Sequence, residues 1–170
     1  STDSGKVYIV RGRPHGLAKH TPLAQADAWF CGETLSGAGS EVLAPGDLNG
    51  DGYGDLVIGA PDGDGAAPRA GAVAIVFGEP SVWGGGTTLD ASVPSFVGNQ
   101  EDEGIGRYMS PAGDVNGDGY ADLLIGSPAD AEIPIRAGKV HLILGGSVGW
   151  APDTPISASD ASFRGEAYQD

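Results

Sequence analysis

Short apolar runs recur along the chain, and each is closed by glycine. Val7-Tyr8-Ile9-Val10, Leu56-Val57-Ile58, Val73–Phe77, Leu123-Leu124-Ile125 and Val140–Leu144 are rich in β-branched and aromatic residues, and Gly12, Gly59, Gly78, Gly126 and Gly145 end them. Continuous apolar runs of this length suit strands covered on both faces. The runs come in copies. Residues 67 apart match repeatedly: Arg69-Ala70-Gly71 with Arg136-Ala137-Gly138, Val73–Gly78 with Val140–Gly145, and Phe96-Val97-Gly98 with Phe163-Arg164-Gly165. A third copy at the N-terminus covers Ser4–Gly12 and Phe30-Cys31-Gly32.

Each full unit therefore holds four strand candidates. Strand A lies at about Ser40–Ala44 and Arg107–Ser110, B is the Leu56–Ile58 or Leu123–Ile125 run, C is the run after the Gly-rich start, and D surrounds Phe-x-Gly. A four-stranded meander that repeats and cannot bury both faces alone is a propeller blade, so the expected fold is all-β, built of four-stranded antiparallel blades. The boundaries fall at 1–33 for the C and D strands of an incomplete blade, 34–98 for one full blade and 99–170 for a second. Propellers use 4–8 blades, whereas 170 residues at a period of 67 give only about 2.5. The chain alone does not close a ring. Either it is an excerpt of a longer propeller, or several copies assemble as a homo-oligomer that completes one.

Composition agrees with a turn-rich β protein. Gly (30) and Pro (12) make up about a quarter of the 170 residues, while apolar residues still reach 40 %. Nine basic against 23 acidic residues give a net charge of -14. Such a field repels phosphate backbones and anionic lipid and attracts cations, so nucleic acid is not an expected partner. No apolar run approaches the roughly 18 residues of a membrane span, and no basic-then-apolar signal peptide follows Ser1. Membrane insertion is not expected, and any secretion signal is expected to lie outside this chain. A single cysteine, Cys31, forms no internal disulfide and no thiolate zinc cluster.

The acids are concentrated. Asp outnumbers Glu by 16 to 7, and six Asp fall in two segments, Asp47-Leu48-Asn49-Gly50-Asp51-Gly52-Tyr53-Gly54-Asp55 and Asp114-Val115-Asn116-Gly117-Asp118-Gly119-Tyr120-Ala121-Asp122. Oxygens at positions 1, 3 and 5 of a tight loop converge, glycine at 6 permits the turn, and position 7 adds a backbone carbonyl. That is the donor pattern of a calcium loop. Asp47, Asn49, Asp51, the Tyr53 carbonyl and Asp55 form one oxygen set, and Asp114, Asn116, Asp118, the Tyr120 carbonyl and Asp122 form the other. Two Ca²⁺ ions are expected, with Mg²⁺ a poorer fit because it demands strict octahedral geometry. Position 12 is Ile58 or Ile125 rather than the Glu of an EF-hand, and the loop runs into a strand.

Phe-x-Gly, the Asp-x-Asn-Gly-Asp-Gly-x-x-Asp loop and Gly-Ala-Pro61 together resemble the FG-GAP repeat of integrin alpha-subunit propellers and their bacterial relatives, with Ser127 in place of the Ala in the second unit. The resemblance covers nearly the whole chain. It implies a seven-bladed propeller with calcium in the A–B loops, a non-enzymatic structural, adhesion or protein-interaction role, and an extracellular or cell-surface setting. The ligand, protein or glycan, stays unidentified. Alternative readings are an excerpt of a secreted enzyme carrying such repeats, or a carbohydrate-binding propeller presenting Trp83 or Trp150 from the C–D connections.

Other chemistry is sparse. His15, His20 and His141 form no ligand spacing, His141 reading as a packed strand residue, and no nucleophile elbow, Walker loop or dinucleotide pattern occurs. Paired acids are too common in this chain to single out a glycosidase dyad. Asp62-Gly63-Asp64-Gly65 and Glu101-Asp102-Glu103 read as exposed acidic loops, and Arg69 and Arg136 as bracing for nearby carboxylates or carbonyls.

Overall fold

Apolar runs closed by glycine form most of the twelve strands, in three sheets, found among the described residues. The structure, a computed structural model, describes residues 5–32, 37–79, 85–90, 92–128 and 138–165. In chain order the strands are β1 (Lys6–Ile9), β2 (Ala28–Gly32), β3 (Glu41–Gly46), β4 (Asp55–Ala60), β5 (Ala72–Val76), β6 (Gly85–Leu89), β7 (Ser95–Val97), β8 (Met109–Gly113), β9 (Asp122–Ser127), β10 (Lys139–Ile143), β11 (Thr154–Pro155) and β12 (Ala161–Arg164). Two short 3₁₀ turns, Leu23–Gln25 and Ile156–Ala158, complete the regular structure. The fold is all-β. Among the described residues no helix is long and apolar enough to cross a membrane.

The expected A-B-C-D meander is present twice, as β3-β4-β5-β7 and β8-β9-β10-β12, and β1-β2 forms a C-D pair. Two further strands come from the C–D connections. β6 pairs in parallel with β2, Trp29 opposite Gly86, and β11 pairs in parallel with β7, Thr154 opposite Phe96. Each full sheet thus lends an outer strand to the sheet before it. Neither strand shows in the pattern of apolar residues, because Gly-Gly-Thr-Thr-Leu and Thr-Pro carry no apolar run; their extended form is imposed by the free edge they cover.

The edge strands β3 and β8 are irregular in the same place. Register slips between Leu43 and Gly46 and between Pro111 and Gly113, where Pro45 and Pro111 lie on an edge that does not need their missing N–H. The second A strand begins at Met109 rather than Arg107. Gly106 stands at φ +83°, which delays the strand until the Met109 N–H reaches Glu41 Oε2 of β3 at 2.7 Å.

The sheets stack face on face, as consecutive propeller blades do. One side of β4-β5 (Ile58, Ala60, Ala74) closes on Val7 and Phe30 of the first pair, with Leu89 from β6. The other side (Val57, Val73, Ile75, with Phe96) closes on Met109, Leu123, Ile125 and Ile143 of the next sheet. Close approach at this second junction requires glycine: a Cβ on Gly59 would lie 2.0 Å from the Gly106 carbonyl oxygen. Trp150 joins the same cluster, stacked 6.3 Å from Phe77 and tilted 5.9 Å from Phe96. Its role is packing. The equivalent face of the last sheet differs, since Val140 and Phe163 are 39 % and 63 % exposed where Val73 and Phe96 are buried.

The acidic stretch 101–103 departs from the expected exposed loop. Glu103 is buried, its Oε2 accepting the N–H of Asn99 at 2.7 Å and of Gln100 at 3.2 Å, and its Oε1 the Ser127 hydroxyl at 2.5 Å. Three donors replace water around this carboxylate, which is why it sits inside. Asp102 stays at the surface and pairs with Arg69, and Asp62 pairs with Arg107 at 3.2 Å. Arg69 therefore braces the D–A turn at the opposite end of the sheet from the acidic loops. Trp83, Arg136 and the 129–132 stretch lie outside the described residues.

Candidate metal centres

The two acidic loops connect β3 to β4 and β8 to β9, and each closes on itself through its own carboxylates. In the first, Asp47 Oδ1 accepts the N–H of Gly50 at 2.6 Å and of Asp51 at 3.1 Å, while Oδ2 accepts Gly52 N–H at 2.8 Å. Asn49 Oδ1 accepts the Asp51 N–H at 3.1 Å, its amide donates to Asp51 Oδ2 at 2.9 Å, and Asp51 Oδ1 accepts the Tyr53 N–H at 2.8 Å. These are nested Asx turns, the local alternative that Asp and Asn offer the backbone. The second loop repeats every bond. Asp114 takes Gly117, Asp118 and Gly119, Asn116 takes Asp118, and Asp118 takes Tyr120, at 2.7–3.1 Å. The Asn116 amide likewise donates to Asp118 Oδ2 at 2.8 Å.

The last acid of each loop plays a different part. Asp55 and Asp122 are buried at the first residue of β4 and β9. Asp55 Oδ2 accepts the Leu48 N–H at 2.6 Å and Oδ1 the Gly78 N–H at 2.7 Å; Asp122 does the same with Val115 at 2.7 Å and Gly145 at 2.8 Å. One carboxylate thus ties the loop's start to the end of strand C, two strands away. Burial raises the pKa of Asp55 above the ordinary carboxylate value; the bonds from Gly78 and Leu48 pull it back, and the charges of Asp51 and Asp47 raise it further.

The structure brings the sequence-expected residues into two loops of one conformation, but it does not gather them into a bare carboxylate cluster. Among the described residues no three His, Cys, Asp or Glu side chains form a group close enough to hold a metal. The donor chemistry nonetheless suits a hard cation. A carboxylate offers about four lone-pair sites, and backbone N–H groups engage three on Asp47 and two on Asp55. Oxygen remains for an ion from Asp47, Asn49, Asp51, Asp55 and the Tyr53 carbonyl, and from Asp114, Asn116, Asp118, Asp122 and the Tyr120 carbonyl. Burial is the main cause that raises Asp55, and the smaller contribution from the charges of Asp51 and Asp47 is one that a dication would reverse. Of the histidines, His141 is buried in β10 with its Nδ1 2.9 Å from Ser159 Oγ, as a packed strand residue would be.

Comparison with known proteins adds four findings. A family model described as FG-GAP repeat matches residues 41–76 and 110–143, each spanning strand A to strand C around one loop. Integrin alpha-7 of Rattus norvegicus is 35 % identical over 140 residues, 80 % of this chain and 11 % of that protein. Integrin alpha-6 of Gallus gallus is 33 % identical over 147 residues, 86 % of this chain and 12 % of that protein. A phosphatidylinositol-glycan-specific phospholipase D of Dictyostelium discoideum is 32 % identical over 127 residues, 73 % of this chain and 13 % of that protein. The chain spans about an eighth or less of these curated relatives.

Proposed function

The chain belongs to the FG-GAP repeat family, carrying two copies of the repeat, and from that premise we propose that it is a calcium-stabilised, non-enzymatic propeller segment serving adhesion or protein interaction outside the cell. The observation that carries this reading is the identity of the two loops. Nine-residue segments 67 positions apart repeat the same Asx turns and the same buried clamp, so the oxygen set is a property of the repeat and not of one turn. Calcium is abundant outside cells, where even weak loops fill, and a net charge of -14 favours cation capture. The integrin relatives support the adhesive side of the reading.

Calcium's role here is structural. Each loop binds at the turn between strands A and B, and an ion at a hundred times its Kd stabilises the folded state by about 2.7 kcal/mol. The ligand and the total number of blades belong to the whole protein. The exposed Val140 and Phe163 face is where a further sheet would seat, supplied either by a longer chain or by another copy in a homo-oligomer. A second reading, a propeller segment accompanying a secreted enzyme, is favoured by the phospholipase D relative. A carbohydrate-binding role has less support, since Trp150 is engaged by Phe77 and Phe96.

Isothermal titration with Ca²⁺ tests the central claim. Two ions bound per chain, a lower melting temperature in chelator, and loss of one ion in each of Asp51→Ala and Asp118→Ala are expected; no binding heat and unchanged melting overturn it.

A further inference from the structure

The two acidic loops touch. Asp47, the first residue of the first loop, accepts the Ala121 N–H of the second loop on its backbone carbonyl at 2.9 Å, and the neighbouring Leu48 carbonyl accepts Gly146 N–H at 2.9 Å. The Tyr120 ring lies on Gly50, where an added Cβ would stand 2.3 Å from Cε1, and Gly50 itself sits at φ +76°. Ala121 N–H belongs to the same planar peptide as the Tyr120 carbonyl, one of the second loop's oxygens.

The buried acids are joined as well. Asp122 Oδ1 holds Gly145 N–H, the next residue's N–H donates to the Leu48 carbonyl, and the Leu48 N–H donates to Asp55 Oδ2. A path of hydrogen bonds and peptide units thus runs from the last acid of one loop to the last acid of the other. Leu48, at its centre, is fully buried.

We propose that the two loops bind Ca²⁺ as a coupled pair, filling of either raising the affinity of the other. The inference rests on the calcium reading and adds regulation to it. Ordering a backbone residue costs conformational entropy, so an ion that fixes the Tyr120–Ala121 peptide also fixes Asp47 and Leu48, and the second ion meets a loop already partly ordered. Coupling of this kind is reciprocal.

Calcium titration of the unmodified 170-residue chain and of two variants tests it. Asp118→Ala, which removes an oxygen from the second loop, is expected to weaken the remaining first-loop site about five-fold or more, the lower range of such couplings. Asp51→Ala is expected to weaken the second-loop site by the same factor. Affinities within two-fold of the unmodified sites overturn the coupling and leave the calcium reading standing; no calcium bound by the unmodified chain overturns the calcium reading itself. Should either variant fold poorly, amide spectra of the unmodified chain read the same quantity. Gly52 and Gly119 are expected to shift along one sigmoidal curve with a Hill coefficient above 1, and two independent hyperbolic curves refute the proposal.

Discussion

Ser127 donates its hydroxyl to the buried carboxylate of Glu103 at 2.5 Å, linking the B–C corner of one sheet to the D–A turn that precedes it. Ser127 occupies the place held by Ala60 in the first repeat, and the hydroxyl is matched to a partner that turns inward. Ser127→Ala is expected to destabilise the chain by about 1–3 kcal/mol, the usual result of removing one partner from a buried polar group. Combined with Glu103→Ala, the loss should fall short of the sum of the two single changes in urea denaturation. Additive losses would show that the bond is energetically idle.

Gly59 and Gly126 stand at equivalent positions in the two B strands but meet different surroundings. A methyl group on Gly59 would clash with the Gly106 carbonyl at 2.0 Å, whereas on Gly126 the nearest atoms are those of Tyr108 at 3.3 Å. Gly59→Ala should lose about 3 kcal/mol or more, at the upper end of overpacking. Gly126→Ala should change stability by less than about 1 kcal/mol. Equal effects in thermal denaturation would mean that the last sheet's outer face is covered as the first repeat's is.

Asp55 and Asp51 should separate loop architecture from ion binding. Asp55→Ala leaves the Leu48 and Gly78 N–H groups without their acceptor in the interior, so it should lose about 2–4 kcal/mol even in excess chelator. Asp51→Ala, on the exposed rim, should be near neutral in chelator and destabilising only when calcium is present. Denaturation of both variants with and without chelator gives the comparison. A chelator-independent loss at Asp51 as large as that at Asp55 contradicts the division of roles.

Val140 and Phe163 provide a readout for propeller closure between copies. If another copy covers this face, Val140→Glu with Phe163→Glu should convert an assembled species to monomer in light scattering, with stability changed by less than about 1 kcal/mol because both side chains are already exposed. A unmodified chain that is already monomeric at high concentration, with or without calcium, argues against homo-oligomeric closure.

The sequence by itself determined the repeat, the four-strand order and the two Asp-Asn-Asp loops, because these depend on local chemistry: glycine at φ > 0, Asx turns and continuous apolar runs are all written within a few residues. Tertiary structure alone decided the rest. β6 and β11 are strands only because a neighbouring sheet offers a free edge, and Glu103 is buried where Ser127, 24 residues on, comes back to join the Asn99 and Gln100 N–H groups around it. The contact of Ala121 with Asp47 likewise joins residues 74 apart, a distance over which no local pattern carries information. Propensity fixed the meander strands and the two loops; neighbouring edges made strands of β6 and β11, and the stacking of sheets fixed which segments touch.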